Sequence, residues 1–302
     1  MDIGINGSGL LARPALAAMT GDMVAAEQDD MSSYWLAQTG GVDALTVFAT
    51  HGSTDSTMRL GTAVIPTWTT HPQVLAGQAL TTQAAVSGRL VLGLGLAHEP
   101  SVTGRWKMTW ERPVRQMMDF LDVLQPLLAD GAVNHNGHFW SYEGEIPLLE
   151  GPPPKVMIAA LGEQMLKLAG ARTDGTILWC VGPKTVKDHI APILNGAAEK
   201  ADRDQPAIVC SMPVWVTDNP APAREFIANA LSIYAELPSY RRMLDIEGLH
   251  GLGELSLVGS EAEVTEGIAA IAASGATDFT AVPMGSDPDE IERTREILRI
   301  VR

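Results

Sequence analysis

Short, nearly unbroken apolar runs alternate along the chain with longer stretches in which apolar residues recur every three or four positions. The first pattern predicts strands covered on both faces; the second predicts helices with one face on a core. Residues 2–6 (DIGIN) read as a first strand, closed by a glycine-containing loop at 7–9. Residues 22–39 read as a helix ended by Gly40-Gly41, and residues 42–48 (VDALTVF) as the second apolar run. Residues 58–65 (MRLGTAVI) form the third. Pro72 opens a helix towards Val86, because proline suits a first helical turn. Residues 89–95 (RLVLGLG) are a fourth strand and 110–129 a long helix. Residues 133–147 read as an irregular or hairpin insertion in which His138, Trp140 and Tyr142 alternate, ended by the prolines at 152–154. Strands then fall at 155–160, 175–181, 207–216 and 277–283. Helices fall at 163–171, 183–200, 220–236, 261–273 and 288–301, with a less regular stretch over 237–256.

A series of about eight strand–helix units predicts an α/β fold closed as a (β/α)8 TIM barrel with loop insertions, since an open doubly wound sheet usually has fewer strands. No linker or composition break divides the chain, so one domain over 1–302 is expected. In such a barrel, chemistry belongs at the carboxyl ends of the strands. Here those are 6–13, 48–59, 66–71, 96–109, 160–164, 180–184, 217–220 and 284–287.

Charge narrows the partners. The chain holds 21 Lys and Arg against 36 Asp and Glu, a net charge of −15, which repels nucleic acid and anionic membrane, so neither is an expected partner. Cys180 and Cys210 have neither metal-site nor CxxC spacing, which suits a reducing cytoplasm. The first residues lack a basic region followed by an apolar run, so no signal peptide is expected. No apolar run is long enough for a transmembrane helix. There is no Ser-His-Asp signature, no Walker loop and no cluster of His and Cys, so no metal site is expected.

Three segments carry a resemblance. They are LGTAVIPTWTTHPQVLAGQALTTQAAVSGRLVLGLGLAHEP (60–100), PPKVMIAALGEQMLKLAGARTDGTILW (153–179) and VGSEAEVTEGIAAIAASGATDFTAVP (258–283). Together they resemble the bacterial luciferase-like family, in order and over nearly the whole chain. Details of 60–100 are closer to its coenzyme F420-dependent branch than to its FMN-dependent monooxygenases. The resemblance implies a TIM-barrel oxidoreductase, a homodimer, and hydride transfer between the C5 atom of F420 and a small organic substrate. An FMN-dependent monooxygenase or reductase is the alternative, followed by a non-catalytic ligand-binding barrel.

The resemblance also implies where the site lies. A non-prolyl cis peptide at Ala63–Val64 would back the deazaflavin ring, near Gly95 at the end of the fourth strand. Leu161, Gly162, Glu163 and Gln164 would form the phosphate loop, with the Glu163 side chain turned away, because a strand ending in glycine before a helix presents free backbone N–H groups. Trp179, with Cys180 beside it, would border the ring. Asn6, after the first strand, is a further cofactor-binding candidate. His98 and Glu99 are candidates for proton transfer, since histidine titrates near neutrality. Relatives carry an Asp-His pair at the second-strand end, where this chain is expected to read Ala49-Thr50-His51; His51 remains a catalytic candidate. Trp68 and Trp106 would wall the substrate pocket. The run GRWKMTWERPVR (104–115) offers Arg105, Lys107, Arg112 and Arg115 as a cationic landing site for an anionic cofactor tail.

Overall fold

The computed structural model describes residues 1–302. Its main strands are β1 (Asp2–Asn6), β2 (Ser33–Leu36), β3 (Arg59–Thr62), β4 (Leu90–Gly95), β5 (Lys155–Ala159), β6 (Gly175–Trp179), β7 (Ala207–Val216) and β8 (Asp278–Pro283). Hydrogen-bonded neighbours follow the order β7, β8, β1, β2, β3, β4, β5, β6, and β6 pairs in turn with β7. The strands thus close into an eight-stranded parallel barrel, the fold the strand–helix alternation predicts. The main helices are α1 (Leu16–Gln28), α2 (Ala44–His51), α3 (Pro72–Ala85), α4 (Pro113–Ala129), α5 (Glu163–Arg172), α6 (Ala191–Lys200), α7 (Pro220–Ala230), α8 (Pro238–Glu247), α9 (Glu261–Ala273) and α10 (Pro288–Val301). No helix is long and apolar enough to cross a membrane.

Residues pack as two compact units. In Met1–Trp35 with Ala160–Arg302, β1 lies between β2 and β8, with Gly4 opposite both Ser33 and Thr280. A β-carbon at Gly4 would overlap the Ser33 side chain, so glycine sets that strand spacing. Nine consecutive residues of β7 are buried, as a strand covered on both faces requires. Ile3, Ile5, Trp35, Val209 and Phe279 lie in this core, each side chain contributing roughly 1.5–3 kcal/mol of burial. Arg295 of α10 reaches Asp22 at 2.8 Å and Asp29 at 3.0 Å, holding the last helix to α1.

In Leu36–Ala159, β4 pairs with β3 and β5 in parallel register. Helix α3 opens at Pro72, and His71 Nδ1 accepts the Gln73 N–H at 3.1 Å as its N-cap. Helix α4 buries Phe120, Leu124 and Leu127. The expected insertion is an antiparallel hairpin, Ala132–Asn136 with Ser141–Glu145.

The early chain departs from expectation. Helix α1 stops at Gln28, and β2 is the four-residue run Ser33–Leu36, inside the stretch expected to be helical to residue 39. The expected second strand is instead α2: Asp43 Oδ1 accepts the Thr46 N–H at 2.7 Å, capping a helix that buries Ala44, Leu45, Val47 and Phe48. That spacing suits a helix face as well as a strand, and the cap decides it. The third strand stops at Thr62 and resumes as Ile65–Pro66 on β4. The stretch 220–236 divides into α7 and a short helix Ser232–Glu236, and 237–256 holds α8.

Candidate functional site

In the unit Leu36–Ala159, the break after β3 makes the bulge that the resemblance implies. The Ala63–Val64 peptide bond is cis. The Ala63 N–H donates to the Leu36 carbonyl at 2.9 Å, and the Val64 carbonyl accepts from Gln38 at 3.4 Å. Ile65 and Pro66 then pair opposite Leu94 and Gly95. Gly95 has no room for a side chain, because a β-carbon there would overlap Val64. Beneath the bulge, Thr62 Oγ1 donates to the Gly93 carbonyl and accepts its N–H, both at 2.8 Å. Ala63, Val64 and Gly95 are therefore brought together.

After β4 the chain turns sharply. Ala97 takes a left-handed conformation (φ 56°), and the His98 carbonyl accepts the N–H groups of Ser101 at 2.9 Å and Val102 at 3.1 Å. His98 is half-buried, and desolvation lowers its pKa, which keeps the ring neutral at pH 7. Glu99 is exposed, and Trp106 is half-buried. Trp68 is buried against Trp110, with centroids 5.6 Å apart, and meets Phe139 of the hairpin edge-on at 6.0 Å. Its indole N–H has no hydrogen-bond partner.

The basic run is partly used within the protein. Arg105 donates to the Thr39 carbonyl at 3.4 Å, and Arg115 pairs with Asp119 at 2.8 Å. Lys107 and Arg112 are exposed.

The placement of His51 is corrected. It is the last residue of α2, not the end of a strand. The adjoining Gly52 carbonyl accepts a hydrogen bond at 3.0 Å from Arg89, which also holds Met58 just before β3. His51 therefore sits by the amino ends of β3 and β4. The strand that precedes α2 is β2, and its end reads Leu36-Ala37-Gln38 rather than Ala49-Thr50-His51.

In the unit Met1–Trp35 with Ala160–Arg302, Asn6 is buried at the end of β1. Its Oδ1 accepts the Ser8 N–H at 3.0 Å and its Nδ2 donates to Ser211 Oγ at 2.9 Å, so the amide ties the loop after β1 to β7. After β5, Gly162 is the N-cap of α5 and no side chain caps it. Gly162, Glu163 and Gln164 are exposed and Leu161 half-buried. The Glu163 carboxylate turns to Lys167 Nζ at 2.6 Å, and that hydrogen bond and charge hold it below the usual carboxylate range. The His189 ring lies 2.8 Å from the Leu161 carbonyl.

At the end of β6, Trp179 is half-buried, its indole N–H unpartnered, with its ring 6.3 Å from Tyr234. Cys180 is buried in a left-handed conformation (φ 49°), and burial pushes its thiol well above the usual range, so it stays protonated and unreactive. Tyr234 and Tyr240, with centroids 5.2 Å apart, come from the stretch 220–256. Sequence reasoning missed both, although Pro238 and the 240/243/244 spacing signal α8. The Glu247 carboxylate at the end of α8 accepts the Thr185 N–H at 2.6 Å. Glu290, also missed, accepts from Thr217 Oγ1 at 2.7 Å, Trp215 Nε1 at 2.9 Å and Ser286 N at 2.8 Å.

A closed parallel barrel with connecting helices defines the class of (β/α)8 proteins. The description luciferase-like monooxygenase matches residues 5–278, and the chain belongs to that family. An uncharacterized protein of Mycobacterium tuberculosis is 29% identical over 81% of this chain and 74% of its own length. A putative coenzyme F420-dependent oxidoreductase of the same organism is 26% identical over 70% of this chain and 66% of its own. Among solved structures, the coenzyme F420-dependent tetrahydromethanopterin reductase of Methanopyrus kandleri superposes with a TM-score of 0.80 at 16% identity, covering 99% of this chain and 97% of its own. The oxygenating constituent of 3,6-diketocamphane monooxygenase from Pseudomonas putida, in complex with FMN, gives 0.77 at 16% identity, covering 99% and 97%.

Proposed function

We propose that this protein is a coenzyme F420-dependent oxidoreductase acting on a small organic substrate. The observation that carries the reading is the uncapped amino end of α5 directly after β5, where backbone N–H groups and the helix dipole suit a phosphate. Leu161, Gly162, Glu163 and Gln164 hold that phosphate through their backbone, and Glu163 stays aside on Lys167. Ala63, Val64 and Gly95 form the bulge that backs the ring, with the Val64 side chain packed into the space left by Gly95. Asn6 and Cys180 shape the wall, and Trp179 offers an indole N–H.

When bound, F420 supplies or accepts a hydride at C5; the protein supplies binding and orientation. Neutral His98 takes the proton released when the substrate is oxidised by giving up its hydride, and returns it as the imidazolium when the substrate is reduced, with exposed Glu99 beside it in sequence. Trp68 and Trp106 bound the substrate and exclude water. His51 has no part in this reading. The whole of 1–302 acts as one domain in a cytoplasmic homodimer, with the weakly charged α3 as one contact element.

The choice of F420 over FMN is supported by a sequence relative named for F420. The second reading, an FMN-dependent monooxygenase or reductase, is favoured by the FMN complex among the structural neighbours. Titration of the purified protein with F420 and, separately, FMN, followed by tryptophan fluorescence, separates them. Micromolar F420 binding with weak FMN binding is expected. The reverse result moves the protein to the FMN branch, and binding of neither sinks both readings.

A further inference from the structure

Asp119 and Asp122 stand three residues apart on α4 and share one face of it, and His135 approaches from the first strand of the hairpin. One carboxylate oxygen of each aspartate and the His135 Nε2 atom all lie within 4.8 Å of one another. His135 Nε2 is 3.9 Å from Asp119 Oδ1 and 4.0 Å from Asp122 Oδ2. Asp119 has no exposed surface. Its Oδ2 accepts the Phe139 N–H at 2.8 Å, but its Oδ1 takes part in no hydrogen bond. Asp119 Oδ1 is met at 2.8 Å by the guanidinium of Arg115, whose side chain is half-exposed, whereas the shielded His135 Nε2 has no hydrogen-bond partner although two carboxylates lie about 4 Å away. Buried polar atoms are nearly always satisfied, so this nitrogen between two carboxylates points to an absent partner.

A β-carbon at Gly137 would stand 2.5 Å from His135 Nε2, 2.5 Å from the Trp140 carbonyl oxygen and 2.8 Å from the Asp119 carboxyl carbon. Glycine at this turn therefore keeps side-chain atoms away from the two ligand groups as well as from the Trp140 backbone.

We propose that Asp119, Asp122 and His135 bind a divalent transition-metal ion of the zinc class, with water completing the site, and that the ion ties the hairpin to α4. One imidazole nitrogen and two carboxylate oxygens suit zinc, cobalt or manganese rather than calcium or magnesium, whose sites are all oxygen. Bond lengths of about 2.0–2.2 Å require these side chains to close in slightly around the ion. His135 coordinates as neutral imidazole through Nε2, and its proton stays on Nδ1. Arg115 Nε lies 2.8 Å from Asp119 Oδ1 without hydrogen-bond geometry, on a side chain that is half-exposed. The guanidinium competes with the ion for this oxygen and swings into solvent when the ion arrives.

The site is independent of the proposed cofactor, so metal alone tests it. Full-length protein is stripped with chelator and titrated with Co2+, read by its visible d–d bands, then challenged with Zn2+. One ion per chain is expected, with the cobalt bands bleached by zinc. Asp122→Asn and His135→Gln, each checked for folding by circular dichroism, should weaken binding by at least about tenfold. Arg115→Gln should strengthen it, because the competing cation is gone. Cobalt binding that is no tighter in the wild type than in Asp122→Asn and His135→Gln overturns the proposal, as does Arg115→Gln weakening it.

Discussion

Gly95 faces Val64 so closely that a β-carbon at position 95 would overlap the valine side chain. The two residues lie on different segments, one at the end of β4 and one in the bulge after β3, and the missing side chain of the first leaves room for the second. Gly95→Ala is therefore expected to push the bulge outward and lower stability by about 1–3 kcal/mol, as overpacking does. F420 affinity should fall in the folded variant. Denaturant unfolding and fluorescence titration check both; an unchanged midpoint would sink the packing argument.

His98 supplies the pH dependence. Its folded pKa lies below the ordinary 6.5 because burial disfavours the charged ring. The folded state thus binds fewer protons than the unfolded state as pH falls through 6.5, so this group makes stability rise with pH across that window. If neutral His98 moves the proton, kcat/KM should drop on the acid side below that value. His98→Gln should cost on the order of 10²–10⁴-fold in rate and remove that limb. A pH–rate profile of the variant that keeps the same limb would assign the ionisation elsewhere.

Glu290 works in the opposite sense. Hydrogen bonds from Thr217, Ser286 and Trp215 hold its pKa at about 2, below the ordinary 4.5. Its contribution to stability is complete above 4.5 and is lost as pH falls towards 2. Comparing acid unfolding of the wild type and Glu290→Gln isolates this contribution. The wild type should lose its advantage within that window, and parallel curves would remove Glu290 as the cause.

Position 163 offers a gain of function. Replacing Glu163 by Lys removes a carboxylate from the first turn of α5 and adds a cation there. F420 binding should tighten by roughly two- to fivefold at low salt, an effect of the size expected for one exposed charge at a helix end. The gain should fade as salt rises. A salt-independent change would place the phosphate elsewhere.

Arg89 tests the division between the two ends of the strands. Buried just before β4, it donates to the carbonyls of Val86, Met58 and Gly52 at 3.0, 3.2 and 3.0 Å. Arg89→Leu should cost about 2–3 kcal/mol by leaving carbonyls unpaired, with F420 affinity unchanged in the folded fraction. His51→Gln, beside Gly52, should leave both cofactor affinity and turnover intact. Loss of turnover in His51→Gln would restore that residue as a catalytic candidate.

The sequence by itself determined the barrel. Its later strands are apolar runs long enough to read without neighbours, and Pro72 and the residues after Gly162 mark helix starts that need only local chemistry. The bulge at Ala63–Val64 and the α5 loop were legible through family resemblance in short contiguous motifs. Tertiary structure alone decided β2. Four residues, Ser33–Leu36, make a strand only when hydrogen-bonding neighbours accept them, whereas an Asp43 cap turned the stronger apolar run after it into a helix. It also decided which polar groups meet. Glu290 gathers donors from residues 215, 217 and 286, and His135 Nε2 comes within 3.9 Å of Asp119 Oδ1. Such convergence depends on distances in space between segments far apart in the chain, and no local periodicity encodes those distances.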